Sequence, residues 1–194
     1  MKAILLTTIF ALFALALPVQ AGEGHAHSAL KNKKTDKIAR KITEAPLRIV
    51  REVRLNIPAE ELFALIEDHE ALPKWVPFIH QVKVDNSHAK VPGGYGAVRT
   101  CTTADGQEVT EDIVHLKPGR ALAYAIRDDN NMGLTNHVGV MVVTKGHHGE
   151  ARFTWSQYFN HPMPDQAVQG FGQIMDMVLN GLVERHGGEM LAAR

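Results

Sequence analysis

The sequence predicts an α+β fold in which an antiparallel sheet packs on one long C-terminal helix. Three observations carry this. From Pro164 to His186, apolar residues recur at Val168, Phe171, Met175, Val178, Leu179, Leu182 and Val183, the spacing of one buried helix face. Between positions 47 and 159, short β-rich runs alternate with Gly, Pro, Asn and Asp turn signals, the pattern of an antiparallel meander. The 194 residues contain no internal repeat and no second compositional block, so one domain is expected.

The first 21 residues read as a secretory signal peptide. Lys2 gives a short positive region, 3–17 is an uncharged apolar run, and Val19 and Ala21 suit a cleavage site. An uncleaved anchor is the alternative reading. The segment is too short for a stable span, so no membrane span is expected after cleavage. The address implied is periplasmic or secreted, in a bacterium. Residues 22–45 form a polar lead with His25, His27 and a Lys31-to-Lys34 basic cluster, read as a flexible tail with a helical turn near 38–42.

The domain itself is expected over 46–190. Alternation at Leu47-Arg48-Ile49 and Val53-Arg54-Leu55-Asn56-Ile57 gives the first strand. Pro58, with Glu60 and Glu61 in the first turn, starts a helix whose Leu62, Phe63 and Ile66 share a face. A second short helical piece runs from Glu70 to Trp75 and stops by Pro77. Strands follow at 82–84, 95–102, 108–116, 121–127, 137–144 and 151–159. Pro164 and Asp165 open the final helix and Gly187-Gly188 close it. Gly170, Gly172 and Gly181 inside that helix suggest close approach to the sheet, room for a ligand, or a looser helix.

Four segments resemble a known superfamily. They are Ile57-Pro58-Ala59-Glu60-Glu61-Leu62-Phe63, Leu72-Pro73-Lys74-Trp75-Val76-Pro77, Thr110-Glu111-Asp112-Ile113 with Pro118-Gly119-Arg120-Ala121-Leu122-Ala123-Tyr124, and Gly149-Glu150-Ala151-Arg152-Phe153-Thr154-Trp155. In this order, ahead of the last helix, they resemble the START and birch-pollen-allergen (SRPBCC) superfamily, and within it the bacterial polyketide cyclase/dehydrase branch. The resemblance implies a helix-grip fold: a curved antiparallel sheet wrapped around a long C-terminal helix, with two short helices after strand 1. It also implies an apolar chamber between sheet and helix. It implies no fixed catalytic set, because members include cyclases and lipid or hormone carriers.

Candidate site residues follow from strand parity and from the resemblance. Glu111 and His115, four apart on one strand, would share a face and bring an acid and an imidazole into the chamber, unless that face meets solvent. Tyr124 alternates with Leu122 and Ile126 and points inward. His137 shares parity with Met141 and Val143, as a strand-end histidine or a proton shuttle. Trp155 shares parity with Phe153 and Phe159 and resembles a position at the mouth or wall of the family's cavity, set against a plain core anchor. Trp75, in the stretch that resembles the family's second-helix tryptophan segment, is a further ligand-binding candidate. Arg99 is a cation for a carboxylate or enolate, set against a solvated strand face. Phe171 and Met175 are expected to border the chamber, with Met177 on or beside the same stripe. Cys101, the single cysteine, reads as a small buried hydrophobe.

Several function classes drop out. Lys+Arg and Asp+Glu each number 21, which gives no electrostatic pull toward nucleic acid. The 11 histidines do not assemble into a metal pattern, and no phosphate-binding, dinucleotide or nucleophile-elbow motif is present. The expectation is an exported protein binding a small apolar or lipid-like molecule, without metal or cofactor. A cyclase, dehydrase or hydrolase using the same chamber is the alternative. Oligomeric state is not readable from the sequence.

Overall fold

The computed structural model describes residues 32–191; the expected signal peptide and residues 22–31 lie outside them. The chain runs α1 (Lys33–Ala39), β1 (Leu47–Leu55), α2 (Ala59–Glu67), α3 (Leu72–Trp75), β2 (Ile79–Asp85), β3 (Val98–Thr103), β4 (Glu108–Lys117), β5 (Ala121–Ile126), β6 (Thr135–Lys145), β7 (Ala151–Asn160), α4 (Pro164–His186) and β8 (Gly188–Leu191). The eight strands form one antiparallel sheet in the order β2-β3-β4-β5-β6-β7-β1-β8.

Alternation within the strands decides what faces the helices. Odd positions of β6 and β7, including Met141, Val143, Phe153, Trp155 and Phe159, point into the core beneath α4. The α4 stripe of Phe171, Met175, Val178, Leu179 and Leu182 is buried against them. Asp165 in the first turn and Arg185 and His186 in the last complement the helix dipole. Gly187, at φ 70°, ends the helix and donates its N–H to Val183 O at 2.8 Å. The chain then turns directly into β8, which pairs with β1. Arg51 of β1 grips Asp176 of α4 through Nε–Oδ1 at 2.6 Å and Nη2–Oδ2 at 3.1 Å. Met177 is solvent-exposed, off the buried stripe.

The lead is not a flexible tail from residue 32 onward. Asn32 caps α1, its side chain accepting from the N–H groups of Lys34 and Thr35. The Thr35 hydroxyl, fully buried, lies 2.9 Å from both the Ser156 and Tyr158 hydroxyls. Tyr158 donates to Asp36 at 2.7 Å. This network fastens α1 to the outer face of the sheet. There Ala39, Ala121, Ala123, Val138, Val140 and Val142 make a second apolar layer with Ile38 and Ile42. Val138, Val140 and Val142, the central even-numbered residues of β6, are apolar because this helix covers them.

The helix glycines differ in kind. A Cβ on Gly172 would sit 3.1 Å from Arg51 Nη2, so that glycine permits close approach of α4 to β1. A Cβ on exposed Gly181 would meet nothing within 4 Å. Gly181→Ala is therefore expected to stabilise the fold by about 1 kcal/mol, read as a higher urea midpoint at unchanged slope. No gain would mean that this turn of α4 is not a regular helix.

Among the described residues, no helix is long and apolar enough to cross a membrane. Among the same residues, no three His, Cys, Asp or Glu side chains group as a metal site.

Candidate functional site

Between the sheet's inner face and α4 lies a cavity of about 90 Å³. Three walls line it. The sheet supplies Arg99 and Cys101 from β3, Val109 and Glu111 from β4, Tyr124 and Ile126 from β5, Met141 from β6, and Trp155 and Gln157 from β7. Helix α4 supplies Phe171, Ile174 and Met175. The segment from α3 into β2 supplies Leu72, Trp75, Val76, Phe78 and Ile79, and Met132 comes from the β5–β6 loop. Arg185 of α4 donates to Lys74 O at 2.6 Å and ties the helix to the α3 wall.

The polar groups are few, and the two charged ones pair with each other. Arg99 and Glu111 face each other across the β3–β4 register and form a buried ion pair, Nε–Oε2 2.5 Å. The solvated strand face weighed for Arg99 is thus not what forms, since alternation sends Arg99, Cys101 and Thr103 inward together. The Arg99 guanidinium also lies over the Tyr124 ring, 5.0 Å from its centroid. Its Nη1 meets His69 Nδ1 at 3.3 Å, while His69 Nε2 bonds Gly93 O at 2.8 Å. The shared proton pattern is a neutral imidazole donating from Nε2 and accepting at Nδ1. Burial first, and then the Arg99 charge, lower the His69 pKa and favour that form. Burial, together with the nearby Glu111 carboxylate, raises the pKa of the Cys101 thiol, so it is no thiolate nucleophile.

Of the sequence candidates, Trp75, Arg99, Glu111, Tyr124, Trp155, Phe171 and Met175 meet around this cavity. His115 does not. A bulge between Ile113 and His115 adds one residue to β4 against β5 and reverses the alternation. Glu111 stays inside, while His115 emerges on the outer face beside Ile38, Lys41 and Ile42. The acid/base pair read from their four-residue spacing is therefore split. His137 lies behind the wall, its ring 5.7 Å from Tyr124 and 6.1 Å from Phe171 between centroids.

Two polar residues escaped the sequence reading. Gln157 is the polar member of the inward set Phe153, Trp155 and Phe159, a break in apolar parity that marks it. His69 is buried in the turn before α3, and only its distance to Arg99 reveals its place.

A curved sheet closed over a C-terminal helix, with an apolar hollow between them, defines a helix-grip protein with an internal chamber. The chain belongs to the family described as polyketide cyclase/dehydrase and lipid transport, which matches residues 46–193. No curated protein matches it. Among solved structures it is similar to the protein XoxI from Bacillus cereus, at 22% identity and TM-score 0.61, covering 71% of this chain and 94% of that one. A Thermobifida fusca protein solved in solution is similar at 25% identity and TM-score 0.60, covering 72% and 92%. A Thalictrum norcoclaurine synthase variant in complex with a transition-state analogue shares the fold at 16% identity and TM-score 0.53, covering 74% and 97%.

Proposed function

We propose that this is an exported binding protein that takes up a small apolar molecule beneath α4. The single observation carrying the reading is the cavity itself, an apolar hollow with its charges already paired. Removing apolar surface from water there is favourable. A hollow of about 90 Å³ suits a compact ligand. A lipid-like tail requires Met132, Met141 and Met175 to change rotamer, which flexible thioethers allow. His115 stands outside the cavity, so the acid/base pair read from its spacing with Glu111 does not form there, while Glu111 and Tyr124 remain on the lining. The apolar run at 3–17 and the cleavage pattern after Ala21 support export.

One measurement tests both parts. Native mass spectrometry of protein purified from its own host is expected to show a chain beginning at Gly22 with an added small mass that is lost on denaturation. A clean apo mass in repeated preparations would sink the carrier reading. A chain retaining residues 1–21 would sink cleavage.

A further inference from the structure

At the polar end of the cavity, the backbone fixes where one proton points. The Ile126 N–H donates to His137 Nδ1 at 3.0 Å. A neutral imidazole accepting at Nδ1 carries its proton on Nε2. That Nε2 therefore donates, to Gln157 Oε1 at 2.8 Å. The amide nitrogen of Gln157 is left to face Tyr124 and donates to its phenol oxygen at 3.0 Å. The Trp155 indole N–H donates to the same oxygen at 3.3 Å. With its oxygen already accepting twice, Tyr124 must act as a donor, and its proton meets no acceptor among the described residues.

Tyr124, Trp155 and Gln157 all line the cavity, so the hydroxyl they share lies at its wall. Gly139, opposite Tyr124 in the β5–β6 register, leaves room for the ring; a Cβ there would lie 2.3 Å from Tyr124 Cζ. A second donor on the lining, the Trp75 indole N–H, is buried with no acceptor among the described residues. Buried donors without partners are costly and rare, and a ligand acceptor would satisfy them. The Arg99 charge is already matched by Glu111, so an anionic ligand would meet the Glu111 carboxylate without a free cation.

We infer that the cavity selects a small neutral molecule bearing a carbonyl-type oxygen, which accepts the Tyr124 proton oriented by Ile126, His137 and Gln157. This rests on the binding function proposed above. His137 and Gln157 act as positioning residues, because they reach the ligand only through Tyr124.

Acetophenone and α-methylstyrene share a shape and differ in one group, C=O against C=CH2. Titrated into the full chain and followed by calorimetry, acetophenone is expected to bind about 2- to 12-fold tighter, the worth of one net hydrogen bond. Its carbonyl stretch when bound should lie at lower wavenumber than in an alkane solvent, which offers no donor. In Tyr124→Phe the preference should vanish and the stretch should return. In Gln157→Glu the introduced carboxylate accepts the Tyr124 proton, and the preference should vanish with the tyrosine still in place. Equal affinities in the wild type, a preference surviving Tyr124→Phe, or an unshifted carbonyl band would each overturn the donor assignment while the cavity reading stands. Binding of neither probe would overturn the cavity reading and this inference together. The wild-type band decides the matter even if a variant fails to fold.

Discussion

Glu111→Leu is expected to destabilise the fold by about 3–5 kcal/mol, because it leaves the Arg99 guanidinium buried without a counter-charge. Arg99 is 2% exposed and Glu111 7%. Its remaining partners, His69 Nδ1 and the Tyr124 ring, are neutral. The double change Arg99→Met with Glu111→Leu should recover most of the loss. It removes both charges from a wall that also carries the apolar Val109, Ile126 and Met141. A double-mutant cycle in urea reads the coupling directly. A single variant no costlier than a surface change, with no recovery in the double, would show that this end of the cavity is open to water.

Stability should also fall in mild acid, by about 2 kcal/mol between pH 7 and pH 5 and about 3 kcal/mol by pH 4. The source is His137. Burial pushes its pKa down to about 4, against an ordinary value near 6.5, and the Gln157 hydrogen bond offsets only part of that. Below pH 6.5 the unfolded chain takes up the proton and the folded chain does not, so the unfolded state gains. The contribution is therefore complete above about 6.5 and is lost as pH falls toward 4. His69 is shifted in the same direction by burial and Arg99, and adds to the slope. Urea midpoints at pH 7, 6 and 5 read the effect. A flat profile would mean that His137 is protonated in the folded state, with a different tautomer chain behind Tyr124.

Much of this architecture was legible from residue spacing, and its gaps have physical causes. The α4 stripe and the inward sets Leu122-Tyr124-Ile126 and Phe153-Trp155 form because helices repeat every 3.6 residues and strands every 2. The bulge in β4 was not legible. One extra residue among Ile113, Val114 and His115 leaves no signal in composition, yet it moved His115 to the opposite face. Docking of α1 did have a signal. Val138, Val140 and Val142 make the outward parity of β6 as apolar as its inward parity, which only a sheet covered on both faces requires. β8 was hidden because Gly187-Gly188 reads as a terminus, whereas here it is a turn into an edge strand. The cavity-lining set could be approached by parity. The tautomer chain from Ile126 to Tyr124 could not, since it depends on which side-chain and backbone atoms of three strands meet.

The methionines offer the most direct test of a ligand chamber under α4. Met132, Met141 and Met175 line the cavity, while Met163 and Met177 are exposed. With methyl-¹³C methionine and a toluene titration, the three inner methyl signals are expected to shift together and saturate while Met163 and Met177 stay in place. Signals that all drift linearly, or inner methyls that never move, would contradict a binding chamber and leave a core filled by its own side chains.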